Sequence, residues 1–166
     1  MPKKSTMCAD NPFWQARDEA SSCNDRFGSR ESAADEVCID RTRLARIEAG
    51  TIIPHPEEVI LMAEAYNAPQ LTNYYCSRLC PLGKLTIPAA QMRSLDRLTI
   101  RILTALSEAS SIRGEILEVA RDGEITQDEH EKLRRIASML ESIEIVATET
   151  KMFINKHLKG EETNGQ

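Results

Sequence analysis

The segment SRESAADEVCIDRTRLARIEAG, residues 29–50, has the pattern of two short helices joined by a tight turn. Ser29 is a suitable N-cap for the first helix, and Asp40 is a suitable N-cap for the second. Apolar and small residues recur at helical spacing on both sides of the turn, and Gly50 is a typical helix stop. Helices this short are not stable alone, so the sequence predicts that they pack against further helices.

Four arginines are concentrated on this helical pair, at positions 30, 41, 43 and 46. Taken without their context, such arginines most often form a solvated surface and pair with nearby acidic side chains. The acidic residues within reach along the chain include Glu31, Asp35 and Glu48. The surrounding pattern of helix, turn and helix favours a different interpretation, in which the arginines bind a partner.

The segment is similar to the helix-turn-helix of the XRE family, the transcription regulators with a lambda-repressor-like DNA-binding domain. The similarity rests on Arg30 at the start of the first helix, Ala34 at the crossing, Leu44 in the second helix, and the ending Ile47-Glu48-Ala49-Gly50. It extends over roughly residues 12 to 80, about half of the chain. The sequence NYYCSRLCPLG and the long helical tail also resemble a group of such regulators found in anaerobic, low-GC Gram-positive bacteria.

Two features depart from the pattern of this family. Cys38 stands at the turn where the family usually has glycine, and a non-glycine residue with a left-handed backbone costs about 1 kcal/mol. The sequence SSCNDRFG, residues 21–28, lengthens the connection that follows the first helix of the domain. Because of this longer connection, the resemblance does not identify Arg17 as the arginine that usually pairs with the glutamate at Glu48.

The resemblance implies that the protein binds double-stranded DNA, with the second helix of the motif in the major groove. Arg41, Thr42 and Arg43 then lie nearest the base edges, and Arg46 follows one turn later. Arginine can donate two hydrogen bonds to guanine, and threonine can contact the methyl group of thymine. Arg30, at the start of the preceding helix, is expected to bind a phosphate with the help of unpaired backbone N–H groups.

The composition agrees with a small helical regulator. Of the 166 residues, 41% are hydrophobic but only 4% are aromatic, which favours a core of aliphatic side chains between packed helices. The net charge of −5 argues against a protein that coats nucleic acid without specificity, although it permits a local basic surface. The sequence has no apolar run of the roughly 18 residues that a membrane span requires and no signal peptide. We therefore expect a cytoplasmic protein without a membrane partner.

The predicted fold is all-α: a five-helix lambda-repressor-like DNA-binding domain followed by a long antiparallel helical hairpin. We assign residues 1–84 to the DNA-binding domain, 89–158 to the hairpin and 159–166 to a flexible tail. The sequence KLTIPAAQ is interpreted as a linker, and the first long helix is expected to begin near Pro88. A break between the two long helices is predicted at Asp122-Gly123.

The apolar residues of the long helices predict self-association. The stripe predicted for the first helix consists of Met92, Leu95, Leu98, Ile102, Ala105, Ala109, Ile112, Ile116 and Val119. The stripe predicted for the second consists of Leu133, Ile136, Leu140, Ile143, Ala147 and Ile154. Further apolar residues lie outside these stripes, among them Ile100, Leu103, Leu106, Met139, Val146 and Met152. They require a second buried surface, which indicates a homodimer formed through the hairpin and a palindromic DNA operator.

The five cysteines are an odd number in a chain without an export signal, so no disulfide framework is expected. Cys76 and Cys80 could supply half of a zinc or iron–sulfur site, but buried packing is the favoured interpretation. The sequence DGEITQDE resembles half of a calcium-binding loop, yet a helix stop and a new N-cap explain it without a metal. We therefore predict no metal and no cofactor.

The sequence shows no features that would indicate an enzyme, such as an arrangement of serine, histidine and acid, a glycine-rich phosphate loop or a carboxylate pair. The favoured function is a DNA-binding transcriptional regulator, more often a repressor in this family, with a possible protein or small-molecule effector. A protein-interaction module resembling an antitoxin remains an alternative, and so does a regulator that responds to redox state or metal through Cys76 and Cys80.

Overall fold

The computed structural model describes residues 10–119 and 129–162, and the regular structure in these ranges is entirely helical. The helices are α1 Pro12–Ser21, α2 Arg30–Glu36, α3 Arg41–Glu48, α4 Pro56–Ala65, α5 Gln70–Tyr74, α6 Gly83–Thr86, α7 Leu95–Ser111, α8 Arg113–Val119 and α9 His130–Glu162. A 3-10 turn spans Asp25–Phe27, and a π-helical turn at Tyr75–Leu79 continues α5. The break predicted at Asp122-Gly123 lies outside the described residues.

The chain forms two compact units. The first contains the chain up to Ala89 together with the end of α9 from Asn155 onward, and the second contains Ala90–Ile154. None of the helices in the two described ranges is long and apolar enough to cross a membrane.

The first unit has a core made of side chains from α1 to α5 and from the turns between them. Its buried members are Phe13, Ala16, Phe27, Ala33, Ala34, Val37, Ile39, Leu44, Ile47, Val59, Met62, Ala63, Tyr66, Ala68 and Leu71. Two aromatic pairs pack edge to face within it, Phe13 with Tyr74 and Phe27 with Tyr66. Removal of these apolar surfaces from water is the main force that holds the short helices together.

The helix boundaries around the predicted motif follow the local chemistry that the sequence indicated. The hydroxyl of Ser29 accepts a hydrogen bond from the backbone N–H of Ser32, and the carboxylate of Asp40 accepts one from that of Arg43. Cys38 has a left-handed backbone with φ of 54°, as its position in place of the family glycine predicted.

The region predicted to be a linker is more ordered than expected. Residues 84–86 lie in α6 rather than in an extended linker, and the first long helix begins at Leu95 rather than near Pro88. Pro88 lacks a backbone N–H and disfavours helical geometry in the residue before it. The residues that follow are held by side chains instead, since the backbone N–H of Gln91 donates to Glu149.

The second unit is an antiparallel pairing of α7 and α8 with α9. Its register is visible in three ion pairs, Arg101 with Glu149, Glu115 with Arg135, and Glu118 with Lys132. The helical hairpin predicted from the sequence is therefore confirmed. The predicted single first helix is interrupted, however, because Ile112 forms a turn between α7 and α8.

The buried side of α9 in the second unit differs from the predicted stripe. Leu140, Ala147 and Ile154 were expected to be buried but are exposed, whereas Val146 and Met152 are buried. A strict seven-residue spacing drifts by about 20° per heptad around a straight α-helix, so it does not stay on one buried face.

The buried face of α9 also carries a charge that the apolar pattern did not predict. Glu149 is 1% exposed, and its two carboxylate oxygens accept hydrogen bonds from Arg93 and Arg101, each at 2.9 Å. This double pairing compensates the burial of the carboxylate and fastens the segment that precedes α7 to the second unit.

The end of α9 is part of the first unit. The side-chain amide of Asn67 donates to the backbone carbonyl of Lys156 at 2.9 Å, and the Nζ of Lys156 lies 2.6 Å from a carboxylate oxygen of Glu19. Asn67 has a left-handed backbone with φ of 48°, which ends α4 and directs its side chain to this contact. A deletion of the whole C-terminal half would therefore remove contacts from the first unit as well.

Candidate nucleic-acid interface

The helices α2 and α3 pack closely because small and branched side chains face each other. Ala33 and Ala34 of α2 are buried, as are Leu44 and Ile47 of α3. The backbone N–H of Ile39 bonds to the carbonyl of Ala34 at 3.0 Å, which closes the turn between the helices. With one side of α3 buried in this way, its opposite side is available to a partner.

The exposed side of α3 carries three of the five residues predicted to bind DNA. Arg41, Thr42 and Arg46 are exposed, and no ion pair within the described parts of the chain involves either arginine. Arg41 and Thr42 are in the first turn of the helix, where the backbone dipole adds partial positive charge. This combination produces a surface with hydrogen-bond donors and positive charge at the start of α3.

Arg43, the fourth predicted residue, is engaged within the protein. Its guanidinium forms two hydrogen bonds with the carboxylate of Glu58 in α4, of which the bond between Nη2 and Oε2 is 2.8 Å long. Glu58 also accepts a hydrogen bond from the backbone N–H of His55. The hydrogen bond from Arg43 is the main cause that lowers the pKa of Glu58, so this carboxylate is ionised at neutral pH.

Arg30, the fifth predicted residue, is partly engaged at the start of α2. Its Nε donates to the carboxylate of Glu48 at 2.8 Å, while about a third of the Arg30 side chain is exposed. The side chain thus lies partly at the surface, but one of its donors is already used by a buried carboxylate.

Glu48 is the centre of a buried ion-pair network. Its side chain is 0% exposed, and Arg17 of α1 donates to it through Nε and, at 3.1 Å, through Nη2. Burial of Arg17 would lower its pKa, but the hydrogen bond and charge of Glu48 outweigh that effect and raise it. Arg17 is therefore the partner of Glu48, although the longer connection had left this pairing unassigned.

The connection between α1 and α2 explains how Arg17 reaches its partner. The 3-10 turn buries Phe27 in the core and presents its backbone carbonyl to the Nη1 of Arg17 at 3.0 Å. The extra residues form a compact turn that leaves α1 in place. A further hydrogen bond joins the start of α1 to α3, because the side-chain amide of Asn11 donates to the backbone carbonyl of Ile47 at 3.0 Å.

A helical pair with a tight left-handed turn, a buried first helix face and an exposed, basic second helix defines the class of helix-turn-helix DNA-binding domains. Residues 28–69 match the model of the protein family HTH_3, described as Helix-turn-helix. This segment is an XRE-type, lambda-repressor-like helix-turn-helix domain. Such a domain implies DNA binding and suggests a regulator rather than an enzyme. Comparisons with curated proteins and with solved structures gave no match.

The cysteine pair of the first unit lies within and just after the π-helical turn that follows α5. Cys76 and Cys80 are free and partly buried, and the Sγ of Cys80 accepts a hydrogen bond from the backbone N–H of Gly83 at 3.5 Å. Within residues 10–119 and 129–162, no group of three histidine, cysteine or acidic side chains is arranged to hold a metal ion.

Proposed function

We propose that this protein is a sequence-specific DNA-binding transcriptional regulator, acting as a repressor by occupying its operator. The observation that carries this proposal is the exposed basic edge of α3, whose Arg41 and Arg46 have no ion-pair partner in the described chain, whereas Arg17, Arg30 and Arg43 are held by carboxylates. A helix presented in this way fits the major groove of DNA, where it can read base edges directly. A regulator that binds chromosomal DNA acts inside the cell, and we propose the cytoplasm as its location.

We assign different roles to the five predicted residues. Arg41, Thr42 and Arg46 are proposed to contact bases because their side chains are exposed on one edge of α3. Arg43 would have to leave Glu58 to reach a base, so we propose that it positions the first turn of α3. Arg30 keeps its proposed role at a phosphate, to which its terminal nitrogens can donate while Nε remains on Glu48.

The net charge favours selective binding over general affinity for DNA. The chain carries 26 acidic and 21 basic residues, so its net charge of −5 opposes general attraction to the phosphate backbone. Only a duplex that offers matching base contacts to α3 would offset this repulsion. The protein is therefore expected to bind DNA weakly until the correct sequence is reached.

We further propose that the protein is a homodimer that pairs through its C-terminal helices. The argument rests on apolar residues of the second unit that remain largely exposed to solvent in the described chain. On α7 these are Leu95, Ile100, Leu103 and Leu106, each more than half exposed. A second copy would bury them. A dimer would also supply the two recognition helices that an operator with half-sites about 34 Å apart requires.

The dimer is tested by the double substitution of Leu103 and Leu106 by glutamate. Two carboxylates on the proposed interface are expected to convert the protein into a monomer, because burying unpaired charge is strongly unfavourable. The molar mass measured by light scattering should then fall to one half of the wild-type value. Thr104→Glu, at an exposed polar position of the same helix, is the matched control and should leave the mass unchanged. A double variant that stayed dimeric would refute the interface.

The function itself is tested by selecting bound sequences from a random pool of duplex DNA at physiological salt. We expect an enriched motif with two inverted half-sites whose centres lie about 10 base pairs, or a multiple of that, apart. A single enriched half-site would support base reading by α3 and argue against the dimer. Recovery of unenriched sequences would contradict specific DNA reading altogether.

A further inference from the structure

The first unit carries an apolar protrusion that is unused by the helix-turn-helix. Leu82 and Leu85, at the start of and within α6, are 77% and 83% exposed. Residues three apart in a helix lie on the same side, so the two side chains form one projecting surface, here called the leucine knob. Isolated exposed leucines are common in proteins, but two adjacent ones this exposed on an ordered turn need a reason.

The leucine knob is built on a tightly fixed scaffold. Gly83, between the two leucines, is packed so closely on the π-helical turn that a Cβ there would lie 2.2 Å from the backbone oxygen of Cys76. The backbone N–H of Lys84 donates to the carbonyl of Cys80 at 3.0 Å, and the amide of Asn73 donates to the carbonyl of Pro88 at 3.1 Å. These contacts hold the leucines outward, so their exposure is a property of an ordered structure.

The chain segment that carries the leucine knob is basic in an otherwise acidic protein. Between Glu64 and Asp96 the sequence contains no acidic residue, although 26 of the 166 residues are acidic. Arg78 and Lys84 lie on this segment and are exposed, and neither takes part in an ion pair within the described part of the chain. The segment therefore combines two exposed leucines with two cations whose charge no ion pair compensates.

We propose that the leucine knob is a docking surface for another protein, one that offers an apolar groove bordered by aspartate or glutamate. Such a groove would bury both leucines and pair with Arg78 and Lys84, as apolar interface centres with polar rims do. A symmetric contact with a second copy would instead bring the same cations face to face. Two leucines and two cations are also too small an anchor for a membrane.

The proposal is tested with full-length protein in which a photoreactive leucine analogue replaces Leu85, expressed in the source organism and irradiated. We expect a light-dependent adduct with another protein, joined at a peptide that contains or adjoins acidic residues. The same analogue at Ser22, an exposed turn position of the first unit, is the matched control and should not form this adduct.

Two variants make the test specific for the proposed chemistry. Arg78→Glu combined with Lys84→Glu should lower the adduct yield at least fivefold, and Leu82→Ala should lower it about tenfold, since a buried leucine contributes roughly that factor to binding. Operator binding of both variants should equal that of the wild type, which separates this proposal from the DNA-binding function. The docking proposal would be overturned by the absence of an adduct, or by an adduct with a second copy, with lipid or with DNA. It would also be overturned if the analogue at Ser22 gave an equal adduct, or if charge reversal left the adduct yield unchanged.

Discussion

Replacement of Glu48 by glutamine is expected to lower the free energy of unfolding of the first unit by about 3–5 kcal/mol. The carboxylate is 0% exposed and is the counter-charge of Arg17, which is itself only 7% exposed. Glutamine has nearly the same shape, so the substitution removes the charge without opening a cavity. The guanidinium of Arg17 would then be buried without compensation, and a buried unpaired charge is among the most destabilising changes in a protein.

Urea unfolding followed by the fluorescence of Trp14 measures this effect, because the single tryptophan lies in α1 and reports on the first unit. Glu31→Gln is the matched control, since this exposed glutamate should change stability by no more than about 0.5 kcal/mol. Adding Arg17→Met to the Glu48 variant should recover much of the loss, because the stranded charge is then removed as well. A loss below about 1 kcal/mol for Glu48→Gln would show that the network is not a buried ion pair in solution.

The helix-turn-helix could be predicted from the sequence because its boundaries are set by local chemistry. Ser29 and Asp40 cap their helices through contacts only three residues away, and Cys38 occupies a turn whose backbone conformation is set by neighbouring hydrogen bonds. Interactions of this range are visible in a short stretch of sequence. For the same reason the predicted all-helical fold class was correct.

Pairings between distant residues could not be predicted in the same way. Arg17 and Glu48 are 31 residues apart, and their contact depends on how the intervening turn folds around Phe27. Arg43 and Glu58 lie on different helices, and the sequence offers several carboxylates within reach of each arginine. The packing of the helices determines which carboxylate each arginine contacts, and residue spacing in the sequence does not specify that packing.

The hairpin shows the limit of periodicity as a guide to burial. Its existence followed from apolar repeats, but the side of α9 that is buried was assigned incorrectly, with Leu140 exposed and Val146 buried. Both residues belong to overlapping apolar patterns, and the choice between them depends on the partner helix. The buried Glu149 belongs to neither pattern, and only its two arginine partners explain its position.

Substitution of both Arg41 and Arg46 by alanine is expected to weaken binding to each half-site of the selected operator by about 30-fold to 20,000-fold at physiological salt. This range corresponds to the loss of two arginine–guanine contacts at about 1–3 kcal/mol each. Both side chains are exposed and unpaired in the described chain, so the unfolding free energy should stay within about 0.5 kcal/mol of wild type. The measurement is titration of the labelled operator, with a random duplex titrated in parallel.

Comparison of the two duplexes separates base reading from simple charge attraction. If the arginines contact bases, affinity for the operator falls far more than affinity for random DNA, since the phosphate contacts survive. Arg26→Ala is the matched control, because Arg26 is an exposed arginine of the same unit that pairs with Glu36 and lies off α3. Equal losses on both duplexes would show that Arg41 and Arg46 contact phosphates. Unchanged affinity would show that α3 is not part of the DNA interface.

Arg43→Ala should instead lower both stability and affinity, because it releases the first turn of α3 from Glu58.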